Sequence, residues 1–447
     1  HIGGRRVLLD CGISPGRPMD HSEYLPEFGL LAKQEGQSLT EYIDVVLISH
    51  CHSDHVGALP YLTEVLGYRG PILMSTPTRA IAPVIIKDAL RTRGHGSRAD
   101  YLRITPESVD ACFERTTCMQ LRERVVVKDI TITSYYAGHV LGAVMLLVEC
   151  GGRSAFYTGD FTMVTDHYLS ASKVPLSLRP DVMLTESTCC TTIRSSKRAK
   201  ESDLCRKIQE TLDGGGKVLM PVFMIGRAQE MCLLCERHWE RAQLQYPIYI
   251  VKGMGETALA FFRLFASWGS DRVRKAEDPF GFKHVSFCDF DQVINSDAPM
   301  VVFAGPSMLQ GGNSLRLFRK LAPFRRNLVV FAGYCVPGTV GNEVQAGLKR
   351  VQVEEGVMIN INCNVDYMSH SDHTDSRGIS QLIAQVMPKR VVLVHGAEKL
   401  VDTYQPIVQR RLGVPCMAPR VGETVTFDGD LEDSCEVLAS PATWRTL

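Results

Sequence analysis

Residues 50–55 read His-Cys-His-Ser-Asp-His and place four potential metal ligands within one short run. Three imidazoles and a carboxylate offer the nitrogen and oxygen atoms that zinc binds at about 2 Å. The run follows an apolar segment predicted as a strand, residues 44–49, so its side chains leave one strand end together. Chance is a poor explanation for this spacing in a chain with 13 histidines. The run therefore predicts a metal site, and such a turn can supply ligands to two adjacent ions.

Three single residues are candidates for the remaining ligands. His139, Asp160 and His395 each lie at the end of an apolar segment and beside a glycine. Glycine leaves room for the close approach of a metal or of backbone. Taken alone, each of the three fits a capping or surface residue better than a ligand, and only the run at 50–55 gives them weight.

The segments that must position these residues are mostly predicted strands in the first 190 residues. Helical patterns are sparse there, and the clearest one covers residues 58–66, directly after the histidine run. Short apolar runs rich in β-branched residues recur between turn signals. The predicted strands are residues 6–9, 45–49, 130–136, 144–150, 155–158 and 182–185.

From about residue 191 the pattern changes to alternating strands and helices. Residues 201–212 and 227–242 have helical spacing, and residues 218–223 and 248–251 have strand character. This alternation predicts a parallel sheet with helices on its faces. After His373 the pattern continues with a helix over 377–386 and a strand over 390–394 that ends at His395.

Composition sets limits on the class of protein. A chain of 447 residues predicts two domains, or one domain interrupted by another. No run approaches the roughly 20 apolar residues of a membrane span. The 49 basic and 49 acidic residues balance, so a nucleic-acid partner would have to bind a local patch. The 15 cysteines have no paired spacing, which favours reduced thiols in a cytosolic or nuclear protein. His1 is not a natural start, so we expect the true N-terminus to be missing.

Together, the run at 50–55 and the three single residues resemble the ligand set of the metallo-β-lactamase superfamily. The resemblance implies two zinc ions, although Mn²⁺ and Fe²⁺ accept the same ligands. It also implies that Asp10 supports the ligands without binding metal. The implied assignment is His50, His52 and His139 for one ion, Asp54, His55 and His395 for the other, and Asp160 as the bridge.

An inserted domain is indicated by the more than two hundred residues between Asp160 and His395. Residues 185–188 (Thr-Glu-Ser-Thr) and 371–375 (Ser-Asp-His-Thr-Asp) resemble the acidic and histidine motifs of the β-CASP nucleases, and residues 226–230 and 333–339 extend the match. The implied fold is α/β: a metallo-β-lactamase αββα sandwich interrupted by a β-CASP domain with a parallel sheet flanked by helices. The implied domains are residues 1–190 and 373–447 for the sandwich and 191–372 for the insertion.

The activity implied by the family is hydrolysis of nucleic-acid phosphodiesters at a two-metal site. Hydroxide would attack phosphorus, and the products would carry a 3′ hydroxyl and a 5′ phosphate. His373 would protonate the leaving 3′ oxygen, with Glu186 fixing its orientation. Asp54 is also a candidate for positioning the water.

Within the family, residues 191–198, 239–241 and 338–341 look most like the endonuclease subunit of the Integrator complex. The cleavage-and-polyadenylation endonuclease is the next best resemblance. Either implies single-stranded nascent RNA as substrate, an inactive β-CASP paralogue and further subunits as partners, and a nuclear location. A catalytically silent scaffold, a DNA nuclease and a small-molecule hydrolase of the same core are the alternatives.

Three weaker signals remain open. Gly226 and Arg227, where a strand passes into a helix, are candidates for binding a substrate phosphate, with an ordinary helix start equally compatible. The basic residues between Arg316 and Arg326 fit RNA backbone binding, although a solvated helix face explains them better. Cys232 and Cys235 have metal-like spacing on a helix, and we interpret them as core packing.

Overall fold

The computed structural model describes residues 1–14, 21, 23–31, 36–93, 103–194, 196–333, 335–354, 356–368, 373–427 and 435–438. Of the predicted motif residues, Ser195, Tyr334, Ser371 and Asp372 lie outside these ranges. The chain forms two compact units. Unit 1 comprises His1–Thr165, Ser170–Ile193 and Asp372–Leu447; unit 2 comprises Asp166–Leu169 and Arg194–Ser371.

Unit 1 contains two main sheets. The smaller is parallel, with the strand order Val7–Leu9, Val45–Leu47, Ile72–Ser75 and Thr117–Met119. The larger is mixed, with the order Cys416–Met417, Arg390–Val394, Val182–Glu186, Arg153–Tyr157, Val144–Cys150, Ile130–Tyr136 and Arg124–Val127. Thr424–Phe427 and Cys435–Leu438 form a separate antiparallel pair. The sandwich predicted from the sequence is confirmed.

Helices complete unit 1. The α-helices are Leu39–Tyr42, Ser53–Val56, Thr76–Arg93, Pro106–Glu114, Ser376–Val386 and Glu398–Leu412. A 3-10 turn covers Phe28–Leu30, and a π-helical turn covers Tyr61–Val65. Among the described residues, no helix has the length and apolar character that a membrane span requires.

Helices occupy more of unit 1 than the sparse helical patterns in its sequence predicted. The helix Thr76–Arg93 has 18 residues with Pro83 inside it and was not predicted. Its apolar face, including Ile81, is buried, and this tertiary packing outweighs local propensity. The helical pattern predicted over 58–66 is confirmed, and the turn Tyr61–Val65 after Pro60 widens to π geometry.

The strands of unit 1 bring the carboxyl ends of several segments to common edges. Val7–Leu9 and Val45–Leu47 run parallel in the smaller sheet. In the larger sheet, Arg153–Tyr157, Val182–Glu186 and Arg390–Val394 run parallel, and Glu186 pairs with Val394. The two sheets are also linked where Val144 donates from its N–H to Ser49 O at 3.0 Å. The strand ends that the predicted ligands follow therefore lie close together.

Unit 2 is built on a six-stranded parallel sheet, as the alternating pattern predicted. Its strand order is Val285–Cys288, Ile248–Val251, Val301–Ala304, Val218–Pro221, Leu328–Phe331 and Asn364–Tyr367. Successive residues of one strand enter different cores: Val218 and Met220 pack in one, and Leu219 in the other. Both faces of this sheet are therefore buried, which is typical of parallel sheets.

The helices of unit 2 cover the two faces of the sheet. They are Lys197–Asp213, Arg227–Ala242, Met254–Leu264, Asp271–Lys275, Phe290–Asn295, Gly312–Leu321 and Val340–Gln345, with a 3-10 turn at Ala266–Trp268. Arg350–Glu354 and Val357–Asn360 form an antiparallel pair. The helix over 227–242 and the strands over 248–251 and 390–394 have the predicted bounds.

Candidate metal centre

Asp10 contacts several side chains and one backbone N–H around the site. It follows the strand Val7–Leu9, and its carboxylate accepts hydrogen bonds from Ser49 N at 2.6 Å and Tyr157 OH at 2.6 Å. Asp10 Oδ2 also lies 2.7 Å from His55 Nδ1. This contact fixes the His55 ring and leaves its Nε2 for a ligand role.

The first group of potential ligands contains His50, His52, His139 and Asp160, whose donor atoms all lie within 4.8 Å of one another. His52 Nδ1 is 3.1 Å from His50 Nε2 and 3.2 Å from His139 Nε2. Ser49 Oγ is 3.0 Å from the other ring nitrogen of His50. Burial and the neighbouring His139 lower the pKa of His52 to about 3, so its imidazole is neutral and able to bind metal.

The second group contains Asp54, His55 and His395, again with donor atoms within 4.8 Å of one another. His395 Nε2 lies 3.4 Å from Asp54 Oδ2. Asp160 lies beside both groups, because its Oδ2 is 3.2 Å from His55 Nε2 and 3.6 Å from His139 Nε2. The structure thus brings together all seven residues predicted as ligands.

The buried atoms of this site fit a bound cation. Asp160 is 1% exposed, and neither of its carboxylate oxygens nor His55 Nε2 makes a hydrogen bond with any described residue. Burial opposes its charged form, yet the imidazoles of His395 and His55 hold the pKa of Asp160 well below its usual range. A buried carboxylate without hydrogen bonds is costly unless it is paired or binds metal. The imidazole nitrogens around that carboxylate form a donor set that suits divalent zinc, which imidazole binds after losing its extra proton.

Three residues of the site have left-handed backbone conformations. Asp10, His139 and His395 have φ values of 61°, 52° and 52°. Such conformations are strained for non-glycine residues and cluster at functional sites. Close packing accompanies them: a Cβ on Gly396 would lie 2.4 Å from Ser187 Oγ. The glycines beside the strand ends thus allow neighbouring atoms to approach the backbone closely. The positive φ values of Asp10, His139 and His395 could not be recognised from the sequence.

Comparisons with known proteins agree with this geometry. Three family models match the chain: a metallo-beta-lactamase superfamily domain over residues 1–184, a Beta-Casp domain over 228–344, and a Zn-dependent metallo-hydrolase RNA specificity domain over 358–419. Integrator complex subunit 11 of Danio rerio is 41% identical over 430 residues, which are 95% of this chain and 71% of the relative.

Two further relatives have similar coverage. Integrator complex subunit 11 of Gallus gallus is 42% identical over 431 residues, covering 95% of this chain and 70% of the relative. Cleavage and polyadenylation specificity factor subunit 3-II of Arabidopsis thaliana is 39% identical over 432 residues, covering 95% and 69%. The chain belongs to the β-CASP family of metallo-β-lactamase-fold proteins. It is a metal-dependent endoribonuclease.

In this β-CASP protein, Glu186 and His373 form a hydrogen-bonded pair beside the ligands. His373 Nδ1 is 2.7 Å from Glu186 Oε2, and the other Glu186 oxygen accepts from Phe161 N at 2.8 Å. His373 Nδ1 also lies 3.6 Å from Asp160 Oδ2. Burial lowers the pKa of His373, but the carboxylates of Glu186 and Asp160 outweigh it and raise the pKa to about 10. The ring is therefore able to carry a proton at neutral pH.

Tyr157 and Thr188 are residues of the β-CASP site whose roles sequence reasoning missed. Tyr157 OH donates to Asp10, and Thr188 Oγ1 lies 2.8 Å from His395 Nδ1. Tyr157 thus holds Asp10, which contacts His55, and Thr188 contacts the potential ligand His395. Both residues support the ligands without belonging to a ligand group. Thr188 stands in the quoted Thr-Glu-Ser-Thr motif, which was the available signal. Tyr157 reads only as a strand residue.

The candidates for phosphate binding lie in unit 2 of the β-CASP protein and belong to neither ligand group. Arg227 begins the helix Arg227–Ala242 after Gly226, which has φ of 106°. The Arg227 side chain is 7% exposed, pairs with Glu230 and donates to Ala332 O at 2.7 Å. A phosphate role for Gly226 and Arg227 stays a prediction. Cys232 and Cys235 are fully buried in the core, which confirms their packing role.

Proposed function

We propose that this chain is a zinc-dependent endonuclease that cleaves single-stranded RNA by two-metal hydrolysis. The observation that carries the proposal is that both sets of predicted ligands lie beside the same buried carboxylate, Asp160, which a third group of potential ligands, completed by Glu186, His373 and His395, also shares. A carboxylate in that position can bridge two ions. Two-metal sites of this kind hydrolyse phosphodiesters by in-line displacement.

The proposed ligands are those of the two groups. When bound, two zinc ions would supply Lewis-acid activation of water and of the scissile phosphate. His50, His52 and His139 would hold the first ion, Asp54, His55 and His395 the second, and Asp160 both. Asp54 is the most exposed of the second group, at 16% of its side chain, which suits an additional role in positioning the water. Asp10 would fix the orientation of the His55 ring so that Nε2 faces the ion.

His373 is the proposed general acid. Hydroxide attacks phosphorus, the bond between phosphorus and the 3′ oxygen breaks, and His373 donates its proton to that leaving oxygen. The hydrogen bond between Glu186 and His373 Nδ1 leaves Nε2 as the atom that meets the substrate. The products are then a 3′ hydroxyl and a 5′ phosphate.

We also propose a place for the chain in an Integrator-like RNA 3′-end processing complex in the nucleus. Its partners would be an inactive β-CASP paralogue and further subunits, and its substrate nascent RNA. The identity to the two vertebrate Integrator subunits supports this choice. Membership of a polyadenylation complex is the alternative, because the plant relative is almost as similar. A silent scaffold is disfavoured, because all seven potential ligands are present and grouped.

The experiment is cleavage of an end-labelled single-stranded RNA by the purified chain with zinc. An Asp54→Ala, His55→Ala variant is the matched control, since it removes two proposed ligands of one ion. We expect internal cuts by the parent only, with products that a 5′-phosphate-dependent exonuclease degrades. A matching DNA tests the DNA-nuclease alternative. Cutting by both proteins, or by neither in the presence of bound zinc, would refute the proposed activity of the isolated chain.

A further inference from the structure

A second candidate interaction surface lies at the amino edge of the parallel sheet in unit 2. Lys217 and Asn327 directly precede two neighbouring strands, Val218–Pro221 and Leu328–Phe331. They are joined because Lys217 N donates to Asn327 Oδ1 at 2.9 Å. Ligands of open parallel sheets usually bind at the opposite, carboxyl edge. A charged surface at the amino edge therefore needs its own explanation.

Several cations near this edge are explained by packing. Arg316 stacks on Phe290 with its guanidinium 4.0 Å from the ring centre, and Arg319 pairs with Glu354 at 2.6 Å. Lys217 and Lys320 donate to the carbonyls of Ser296 and Ile294, at the carboxyl end of the helix Phe290–Asn295. Cations at this end of a helix stabilise it. These four residues have structural roles.

Arg325, Arg326, Lys349 and Arg350 are different. All four are exposed, and none forms an ion pair with another residue in the part of the chain that the structure describes. The two pairs are joined through a short segment: Ile361 N donates to Lys349 O at 2.8 Å, and Asn362 Nδ2 donates to Pro323 O at 3.0 Å. The two segments that carry the four exposed cations are therefore neighbours in the fold.

An exposed aromatic ring completes this surface. Phe324 is 53% exposed and precedes Arg325 in the loop, and the Arg326 guanidinium lies 6.0 Å from the centre of its ring. The positive charges also act on one another: burial lowers the pKa of Lys217, the Asp297 carboxylate opposes this, and Lys320 and Arg326 lower the pKa further. Exposed aromatic rings among unpaired cations are typical of surfaces that bind single-stranded nucleic acid by stacking and phosphate contacts.

We propose that Phe324, Arg325, Arg326, Lys349 and Arg350 form an RNA-binding surface, here called the amino-edge patch. The four cations contact phosphates of single-stranded RNA, and Phe324 stacks on a base. The inference rests on the proposed function for the choice of RNA. An acidic polypeptide would pair with the cations, whereas single-stranded RNA brings both phosphates for the cations and bases that stack on the exposed ring, so RNA is the occupant we propose.

The test measures binding of fluorescent oligouridylate of about 12 nucleotides, a length within the range that such surfaces cover. Anisotropy is read at several salt concentrations in EDTA, and a gel checks that the RNA stays intact. The variants are Arg325→Gln, Arg326→Gln together and Phe324→Ala alone. The matched control is Arg272→Gln, Lys275→Gln, which removes two exposed charges from the helix Asp271–Lys275. Polyglutamate serves as an acidic competitor.

We expect the double arginine variant to bind RNA at least tenfold more weakly, with a salt slope smaller by about 1.4, since each phosphate contact on a single strand contributes about 0.7. Phe324→Ala should weaken binding about fivefold or more, and the control should bind like the parent. Equal loss in the control, or no loss in either patch variant, overturns the proposal. The proposal is also overturned if polyglutamate displaces RNA at equal charge and the Phe324→Ala variant binds RNA like the parent. That result would indicate an acidic protein as the partner.

Cleavage of a short RNA by the same proteins separates the two proposals. The patch residues are neither proposed metal ligands nor the proposed general acid, so the patch variants should still cut a short RNA that is supplied at a saturating concentration. A parent that cuts RNA while all proteins bind equally refutes the patch alone. A parent that binds RNA through the patch but never cuts refutes the proposed function alone.

Discussion

At the scale of single residues, the chemistry depends on how each ring is held. His55 and His50 each present one nitrogen to the site because the other contacts Asp10 or Ser49. His373 is held in the same way by Glu186. Residue types and spacing predicted the ligands, but the partners that orient them come from other strands, such as Tyr157. These long-range contacts leave no local pattern in the sequence.

Asp10→Asn should weaken zinc binding without unfolding the chain. The asparagine amide keeps one acceptor oxygen but places a donor where Asp10 Oδ2 now meets His55 Nδ1 at 2.7 Å and Tyr157 OH at 2.6 Å. Loss of such a supporting contact costs roughly 10–100-fold in metal affinity. Competition with a chelator measures the change. Tyr157→Phe, which removes one hydrogen bond only, should give a smaller effect, and equal affinity in all three proteins would contradict this role of Asp10.

His373→Ala should slow RNA cleavage by about 10²–10⁴-fold while zinc content stays at the parental level. A phosphodiester with a p-nitrophenolate leaving group needs no proton donor, so the same variant should hydrolyse it at nearly the parental rate. Glu186→Gln should show an intermediate loss on RNA. If both substrates slow equally in His373→Ala, the residue is a ligand or a packing residue instead of the general acid.

At the scale of elements, the site is formed by residues at or just after the ends of neighbouring strands. The parallel strands Val182–Glu186 and Arg390–Val394 were recognisable from their apolar runs, and so was the order of helices and strands in unit 2. The helix Thr76–Arg93 was not predicted, because the internal Pro83 breaks the local helical pattern, whereas burial of residues such as Ile81 stabilises the helix. Segment identity was therefore predictable where local pattern and packing agree.

The segment Asp166–Leu169, which belongs to unit 2, contains a carboxyl group whose titration should make the stability of the fold depend on pH. Asp166 Oδ1 accepts from Tyr168 N at 2.6 Å, and burial together with Glu230 raises the pKa of Asp166 to about 8. Its unfolded pKa is about 3.9. A carboxyl with a raised folded pKa stabilises the fold fully below its unfolded pKa, and this stabilisation is lost as pH rises through the folded pKa.

Asp166→Asn retains the Oδ1 acceptor and removes the titration. Relative to this variant, the parent should lose free energy of unfolding between about pH 5 and pH 8. Urea unfolding of both proteins at the two pH values measures the difference. A constant offset between parent and variant at both values would show that Asp166 does not titrate in the folded chain.

At the scale of the whole molecule, the balanced net charge does not reveal where positive charge is concentrated on the surface. The long interval between Asp160 and His395 correctly indicated an inserted sheet of its own, which the structure shows as unit 2. Sequence reasoning treated the basic residues from Arg316 to Arg326 as one group, and the structure divides them. Arg316 and Arg319 have partners, whereas Arg325 and Arg326 do not form ion pairs with described residues. That division depends on Phe290 and Glu354, which are distant in sequence.

The measurement that tests the central claim is a zinc titration of chelated protein, with bound metal read by mass spectrometry and RNA cleavage read in parallel. Two ligand groups beside Asp160 predict that activity rises with bound zinc and reaches its maximum at about two ions per chain. Asp160→Asn should bind less zinc and show no cleavage at any ratio. Full cleavage at about one ion per chain, or in chains that bind none, would contradict the two-metal account.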